Sequence, residues 1–189
     1  MKIDLTFWQA NLPSAVDRIL ELATFKRFSK RRADEFEREI MLAVFCVRTL
    51  IERRKLSEEL LRNRLPVVAF PKKAQKPVTW LNSHHISELY NLEEPEQKHV
   101  DPSFLCNQII HSYTLIPARD GQQFTHILVC SDFERNRYLY NVSLDLIVSL
   151  LNNVASDNPI RTEITYNPKK LDYDIRKYCT KPVGASEQP

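Results

Sequence analysis

Glycine is almost absent from this sequence: Gly121 and Gly184 are the only two among 189 residues. Glycine lets a backbone approach a phosphate group closely and adopt a positive φ at little cost. The sequence accordingly lacks the glycine-rich motifs of dinucleotide-binding folds and P-loop nucleoside triphosphatases, and the serine motif of α/β-hydrolases. We therefore expect none of these three classes of protein.

Length and composition indicate a single globular domain over residues 1–189. The chain is 43% hydrophobic and 27% charged, as in ordinary globular proteins, and is long enough to bury a sizeable core. Its start has no signal-peptide pattern, and its longest apolar run, residues 40–47, is too short to span a bilayer. The four cysteines form no CxxC pair and are predicted to be reduced thiols. We expect a cytoplasmic protein with no cofactor and no membrane contact.

The predicted fold class is α+β, with a helical part over residues 1–111 followed by a small sheet. Apolar spacing and capping residues predict helices over residues 14–28, 34–55, 57–63, 82–91 and 101–111. Three prolines make residues 65–80 an extended connector, and residues 93–96 an acidic loop. β-Branched and aromatic runs predict a three-stranded antiparallel meander and its covering helix, at residues 112–117, 123–131, 137–142 and 144–155. We expect a short edge strand at residues 160–166, closing the β part at 112–166, and a flexible tail at 180–189.

Positive charge is concentrated in the first part of the chain. Residues 1–77 hold 17 Lys and Arg against 10 Asp and Glu, whereas residues 78–189 hold 10 against 14. Basic residues with interleaved aromatics suit phosphate binding and base stacking, although helix ends often carry such charges as solvated caps. The candidate nucleic-acid-binding residues are Lys26, Arg27, Lys30, Arg31 and Arg32; further basic residues are Arg53, Arg54, Lys55, Lys72, Lys73 and Lys76.

Arg48 is the first candidate site residue, because it directly follows the apolar run of the longest predicted helix. A helix that is apolar on every side is buried on every side, and a buried arginine needs a partner. Glu52 lies four residues on and is the nearest carboxylate. We expect a buried ion pair whose loss costs ~3 kcal/mol or more; the alternative is an anion-binding or catalytic arginine.

Asn107 and His111 are the second candidate, spaced so that both project from one face of a helix. The segment from Asn107 to His111 resembles the signature of HEPN-type helical ribonucleases, which carry an arginine, a following polar residue and a histidine on one helix. Here Cys106 stands where that arginine is expected. The resemblance implies RNA cleavage by His111 and Asn107, with Arg48 from another helix as the substitute. The alternative is a buried Asn–His pair that ties the helix to the sheet.

Metal ligands are not expected. His84 and His85 are adjacent, so on a helix their side chains diverge by about 100°. Asp172 and Asp174 have no glycine turn and no third carboxylate beside them.

These observations predict a binding function. The segment from Phe36 to Leu60 resembles segments of uncharacterised bacterial proteins, which implies a bacterial origin. We expect a non-catalytic accessory protein that contacts a protein or nucleic-acid partner through its basic N-terminal part. The alternative is a degenerate or divergent HEPN-like ribonuclease. The sequence leaves the oligomeric state open, a homodimer included.

Overall fold

The computed structural model describes residues 4–73 and 76–180. Its helices are α1 (Leu5–Gln9), α2 (Leu12–Ala23), α3 (Lys30–Glu52), α4 (Glu58–Leu61), α5 (Ile86–Leu89), α6 (Pro102–Ile110) and α7 (Leu144–Ser156). Its strands are β1 (Leu65–Pro71), β2 (Glu96–Val100), β3 (Ser112–Asp120), β4 (Gln123–Ser131), β5 (Tyr138–Ser143), β6 (Arg161–Asn167) and β7 (Asp172–Tyr178). The α+β class is therefore confirmed. Apart from Thr180, the predicted tail lies outside the described residues.

The main sheet has five strands, so the prediction of a three-stranded sheet is wrong in the number of strands. The strands follow the order β2-β1-β5-β4-β3, and each pairs antiparallel with its neighbours. The predicted meander corresponds to β3, β4 and β5. Between β3 and β4 the chain turns through Gly121, whose φ of 56° lies in the region that glycine adopts most easily.

The two additional strands lie outside the segments predicted as strands, and β1 falls in the predicted extended connector, so the first part of the chain is not wholly helical. β1 occupies the start of the proline-rich segment, with Pro66 second and Pro71 last in the strand. Proline is tolerated near strand ends, and Leu65, Val67 and Ala69 point alternately into the core along the strand. β2 is a polar edge strand and, among the described residues, pairs only with β1.

Helix α3 forms the centre of the helical layer. Ser29 caps it by accepting a hydrogen bond from the Arg32 amide at 3.2 Å, so the helix begins four residues earlier than predicted. Its buried residues recur every three or four positions, as in an amphipathic helix. The prediction that its centre is buried on every side is wrong, because Leu42 and Phe45 are 59% and 54% exposed.

Helices cover one face of the sheet, and the segment from Val78 to Tyr90 covers part of the other. Helices α2, α3, α6 and α7 share one hydrophobic core with the inner face. On the opposite face, Val78, Leu89 and Tyr90 pack against Cys130 and Leu139. The helix predicted in this segment, at residues 82–91, is only the single turn of α5.

Strands β6 and β7 form a separate two-stranded sheet. The strand predicted at residues 160–166 therefore exists but does not extend the meander. It pairs instead with β7, with Ile164 opposite Ile175 and Tyr166 opposite Tyr173. In the described ranges, every helix is too short or too polar to cross a membrane.

Candidate functional site

A cleft of about 410 Å³ lies beside the C-terminal end of α6, and Arg48, Asn107 and His111 all line it. We call it the His111 cleft. Helix α3 contributes Arg48, α6 contributes Asn107, and the turn that joins β4 to β5 closes the other side with Asp132 and Phe133. The three residues predicted as a catalytic set from two separate helices thus share one open cavity.

The sequence of α6 explains the position of His111. Asp101 caps the helix by accepting a hydrogen bond from the Phe104 amide at 2.7 Å, with Pro102 at the first helical position. His111 ends the helix, and its amide donates to the Asn107 carbonyl at 3.1 Å. The amide of Asp132 donates in turn to the His111 carbonyl at 3.4 Å. The backbone is therefore held from both sides, while the imidazole is exposed to solvent.

Arg48 pairs with Glu52 as predicted, at 2.9 Å from Nη2 to Oε1. Its Nη1 also donates to the Ser103 hydroxyl at 2.6 Å. Burial is incomplete, because the side chains of Arg48 and Glu52 are 24% and 58% exposed. Glu52 would remain solvated without its partner, so the expected cost of ~3 kcal/mol is too high; an exposed pair is worth about 0–1 kcal/mol.

Gln108, and not an Asn107–His111 pair, makes the side-chain hydrogen bond that joins α6 to the sheet. The Oε1 atom of Gln108 accepts a hydrogen bond from the Ser131 amide at 2.9 Å, and both residues are buried. Across the described part of the chain, no hydrogen bond joins the side chains of Asn107 and His111. The predicted structural pair is therefore wrong, and both side chains are left facing the cleft.

Cys106, where the resemblance to HEPN-type ribonucleases expects an arginine, is buried in the core and does not line the cleft. Its side chain is fully buried, and burial raises the pKa of its thiol to about 12. An arginine at this position would point into the core. In this fold, the cleft obtains its guanidinium group from Arg48 instead.

Sequence analysis also missed Phe133 and Glu134, two residues that line the cleft. Phe133 stands at the rim with its side chain 90% exposed. Glu134 is buried below it and accepts hydrogen bonds from the Tyr140 hydroxyl at 2.8 Å and from Arg137 at 3.0 Å. Burial, together with the bond to Glu134, raises the pKa of Tyr140. A turn residue such as Phe133 carries no periodic signal, which is why only its exposure identifies it.

The candidate nucleic-acid-binding residues divide into two groups. Arg32 is a structural residue: it donates to the carbonyls of Glu21, Leu22 and Thr24 at 2.5, 3.0 and 2.7 Å and so caps the C-terminal end of α2. Arg31 pairs with Glu35 at 2.9 Å. These two charges are engaged within the protein.

Lys26, Arg27 and Lys30 form the second group, exposed and without an ion pair in the described ranges. The ring of Phe28 lies among them, 47% exposed, and the Arg119 guanidinium lies 5.0 Å from its centroid. We call these five residues the Phe28 patch.

The Phe28 patch is held by the β3–β4 turn. The amide of Phe25 donates to the Gln122 carbonyl at 3.0 Å, and Thr24 bridges to Gln123. The buried ring of Phe25 packs 4.9 Å from that of Phe124. The loop between α2 and α3 is therefore anchored at its start by both backbone and side chains.

The two adjacent histidines lie in a turn and not on a helix. The rings of His84 and His85 are 4.1 Å apart, edge to face, and His85 lies 3.6 Å from Glu88. Within residues 4–73 and 76–180, no group of three or more His, Cys, Asp or Glu side chains is placed to hold a metal ion.

Comparison with known proteins does not assign the chain to a family. No family model, curated protein or solved structure matches it. Inferences about function therefore depend on the residues and geometry described above.

Proposed function

We propose that the protein binds single-stranded nucleic acid through the Phe28 patch. The observation that carries the proposal is the half-exposed ring of Phe28 among Lys26, Arg27, Lys30 and Arg119, none of which has an acidic partner in the described residues. Proteins that bind single strands combine cations that contact phosphates with aromatic rings that stack on bases.

The anchoring of the patch also supports binding. A loop that is already ordered loses less conformational entropy on binding than a free one. The bonds from Phe25 to Gln122 and the packing of Phe25 on Phe124 order this loop in the free protein. Arg31 and Arg32 bond to groups within the protein. Of the five predicted binding residues, Lys26, Arg27 and Lys30 are therefore the ones whose charge is free to contact a phosphate.

The test measures the affinity for an oligonucleotide of about twelve nucleotides as a function of salt. The logarithm of the binding constant falls by about 0.7 per log unit of salt for each phosphate neutralised. Replacing Lys26, Arg27 and Lys30 with Ala is expected to reduce this slope by about 2, and Phe28→Ala to weaken binding with the slope unchanged. Lys169→Ala, in the exposed turn between β6 and β7, is the control because it removes a positive charge outside the patch. Equal binding by the triple variant and the wild type overturns the proposal.

RNA cleavage in the His111 cleft is a second candidate function. It is favoured by the position of Arg48, Asn107 and the exposed His111 around one cavity, without the structural hydrogen bond that would engage Asn107 and His111 with each other. In such a reaction, the RNA 2′-oxygen bonds to phosphorus as the P–O5′ bond breaks. His111 takes the 2′-hydroxyl proton, water protonates the departing 5′-oxygen, and Arg48 stabilises the charge on the phosphorane.

The test of cleavage uses a purified protein and a labelled RNA. His111→Ala is expected to reduce the cleavage rate by about 10²–10⁴-fold, as for other general acids and bases. An otherwise identical oligonucleotide lacking the 2′-hydroxyl is expected to remain intact. The control is His84→Ala, which removes an exposed histidine outside the cleft. Cleavage that persists in a folded His111→Ala variant, or no cleavage by the wild type, excludes this candidate.

A further inference from the structure

A second basic surface continues from the His111 cleft toward the end of β1 and the start of β5. A depression of about 390 Å³ shares Phe104 and Glu134 with the cleft. A third, of about 590 Å³, shares Arg137 and Tyr138 with the second. The three cavities therefore lie next to one another in a row on the surface. We call the second and third together the Tyr138 groove.

Positive charge dominates the Tyr138 groove. The carboxylates that line it are Asp101 and Glu134. Asp101 is engaged as the cap of α6, and Glu134 is engaged by Tyr140 and Arg137. The cationic side chains are Arg64, Lys72, Lys73, Lys76, Lys98 and Arg137. Lys98 pairs with Glu96 at 3.0 Å and Arg137 with Glu134 at 3.0 Å, so the excess positive charge comes from Arg64, Lys72, Lys73 and Lys76.

Several of these cations are positioned by carbonyl groups and not by carboxylates. Arg64 donates to the His99 carbonyl at 2.6 Å, and Lys73 donates to the Ser87 carbonyl at 2.7 Å. Lys72 donates to the carbonyl of Lys73. A carbonyl fixes the position of a cation but leaves its full charge uncompensated. Such fixed, uncompensated charges attract an anionic ligand.

Aromatic side chains accompany the charges along the same path. Tyr138 lines both depressions, and the Lys98 ammonium lies 3.7 Å from the centroid of its ring. Phe104 stands where the groove meets the cleft, and the exposed Phe133 stands on the cleft's far rim. Cations that alternate with aromatic rings along a continuous depression are typical of surfaces that track a nucleic-acid strand.

We infer that the Tyr138 groove binds consecutive phosphates of a single nucleic-acid strand and directs that strand into the His111 cleft. This inference rests on the proposed binding of single-stranded nucleic acid. It goes beyond that proposal because the groove and the Phe28 patch lie on different elements. The patch is formed by the α2–α3 loop, the start of α3 and the end of β3. The two surfaces share no residue and can be altered independently.

The test compares three variants with equal loss of charge. The groove variant carries Arg64→Ala, Lys72→Ala and Lys76→Ala, and the patch variant carries Lys26→Ala, Arg27→Ala and Lys30→Ala. The control variant carries Arg38→Ala, Arg62→Ala and Lys169→Ala, at exposed positions away from both surfaces. Circular dichroism melting checks that all three are folded. The probe is an oligouridine of about twelve nucleotides, titrated between about 50 and 200 mM salt.

The inference predicts that the groove variant binds oligouridine at least tenfold more weakly than the control variant, with a salt slope reduced by about 2. Equal binding by the groove and control variants overturns it, and a loss confined to the patch variant then leaves the proposed function standing. A loss confined to the groove variant supports the inference and overturns the assignment of binding to the patch. No binding by the wild type at about 50 mM salt overturns both. Polyglutamate that competes with oligouridine at equal charge identifies an acidic protein as the ligand and also overturns the inference.

Discussion

Asp157 accepts two hydrogen bonds from Ser57 across the buried junction between α7 and α4. The Ser57 amide donates to Oδ2 at 2.8 Å, and its hydroxyl donates to Oδ1 at 2.5 Å. Ser57 is at the same time the cap of α4, and its hydroxyl accepts from the Leu60 amide at 3.3 Å. The Asp157 carbonyl accepts from Gln9 at 2.6 Å. One carboxylate residue thus joins α1, α4 and the end of α7.

Removing the Asp157 carboxylate is expected to destabilise the protein. Asp157→Ala leaves the buried amide and hydroxyl of Ser57 without their acceptor, and a hydrogen bond to a charged group contributes about 1.5–3 kcal/mol. We expect a fall of this size in the free energy of unfolding, measured in urea. Asp120→Ala, at an exposed hairpin position, is the control and is expected to change stability by less than about 0.5 kcal/mol. Equal urea midpoints for the two variants would contradict a structural role for Asp157.

Arg32 and Lys30 are expected to differ sharply although they lie two residues apart. Arg32→Ala removes three charged hydrogen bonds to carbonyls at the end of α2, so we expect a loss of about 1.5–3 kcal/mol. Arg32→Lys is expected to recover only part of it, because one ammonium group does not reproduce the fork of a guanidinium. Lys30→Ala is expected to leave thermal stability within about 0.5 kcal/mol of the wild type. Similar melting temperatures for the Arg32→Ala and Lys30→Ala variants would refute the structural role assigned to Arg32.

Cys179 is expected to be the thiol that reacts first in the native protein. It is exposed, whereas Cys46, Cys106 and Cys130 are buried. Burial raises the pKa of all four thiols, to about 11 for Cys46 and about 12 for Cys106, so solvent exposure and not a low pKa distinguishes Cys179. A chromogenic disulfide reagent at about pH 8 is therefore expected to titrate one thiol in the native protein and four in concentrated guanidinium chloride. Fast native labelling that survives Cys179→Ser would show that a buried thiol is accessible.

Tyr140 is expected to make stability sensitive to alkaline pH. Burial and the bond to Glu134 raise its pKa in the folded state, so the fold favours the protonated phenol. This contribution is complete below the unfolded pKa of about 10 and is lost as pH rises above it, because the unfolded chain releases the proton first. The free energy of unfolding is expected to fall less steeply above about pH 10 in Tyr140→Phe than in the wild type. Tyr90→Phe is expected to change the pH profile in the same direction, because burial raises the pKa of Tyr90 as well. Parallel pH profiles for wild type and Tyr140→Phe would exclude this contribution.

The parts of the fold that depend on local signals were predictable from the sequence. Asp101 and Pro102 start α6, and Ser57 and Ser143 cap α4 and α7, because capping involves residues only two or three positions apart. The β3–β4 hairpin was predictable for the same reason, from the turn at Gly121.

Pairing between distant segments was not predictable in this way. β2 has no apolar alternation, since it is an exposed edge strand whose only neighbour in the sheet is β1. The prolines of β1 indicated an extended connector, yet they lie at positions where a strand of the sheet tolerates them. The membership of both strands in the sheet depends on partners that no local pattern identifies.

The candidate site shows the same division. The helical spacing of Asn107 and His111 identified two residues that the fold places in one cleft. Arg48 could be named only as a possible partner from another helix, and its position in the same cleft depends on how α3 packs against α6. Phe133 and the Tyr138 groove arise from turns and strand ends, where tertiary packing and not periodicity determines exposure. The chemical roles of these residues remain predictions.

Because β1 pairs with β5, the main sheet can be completed only late in the synthesis of the chain. Val68 lies beside Asn141 and Phe70 beside Leu139, so β1 emerges from the ribosome long before its neighbour in the sheet. Until β5 is made, β1 has only the edge strand β2 as a partner, and an isolated two-stranded hairpin is marginally stable. A nascent chain that stops before residue 138 therefore lacks the neighbour that completes the sheet beside β1, and an unpaired strand edge of this kind is prone to aggregation.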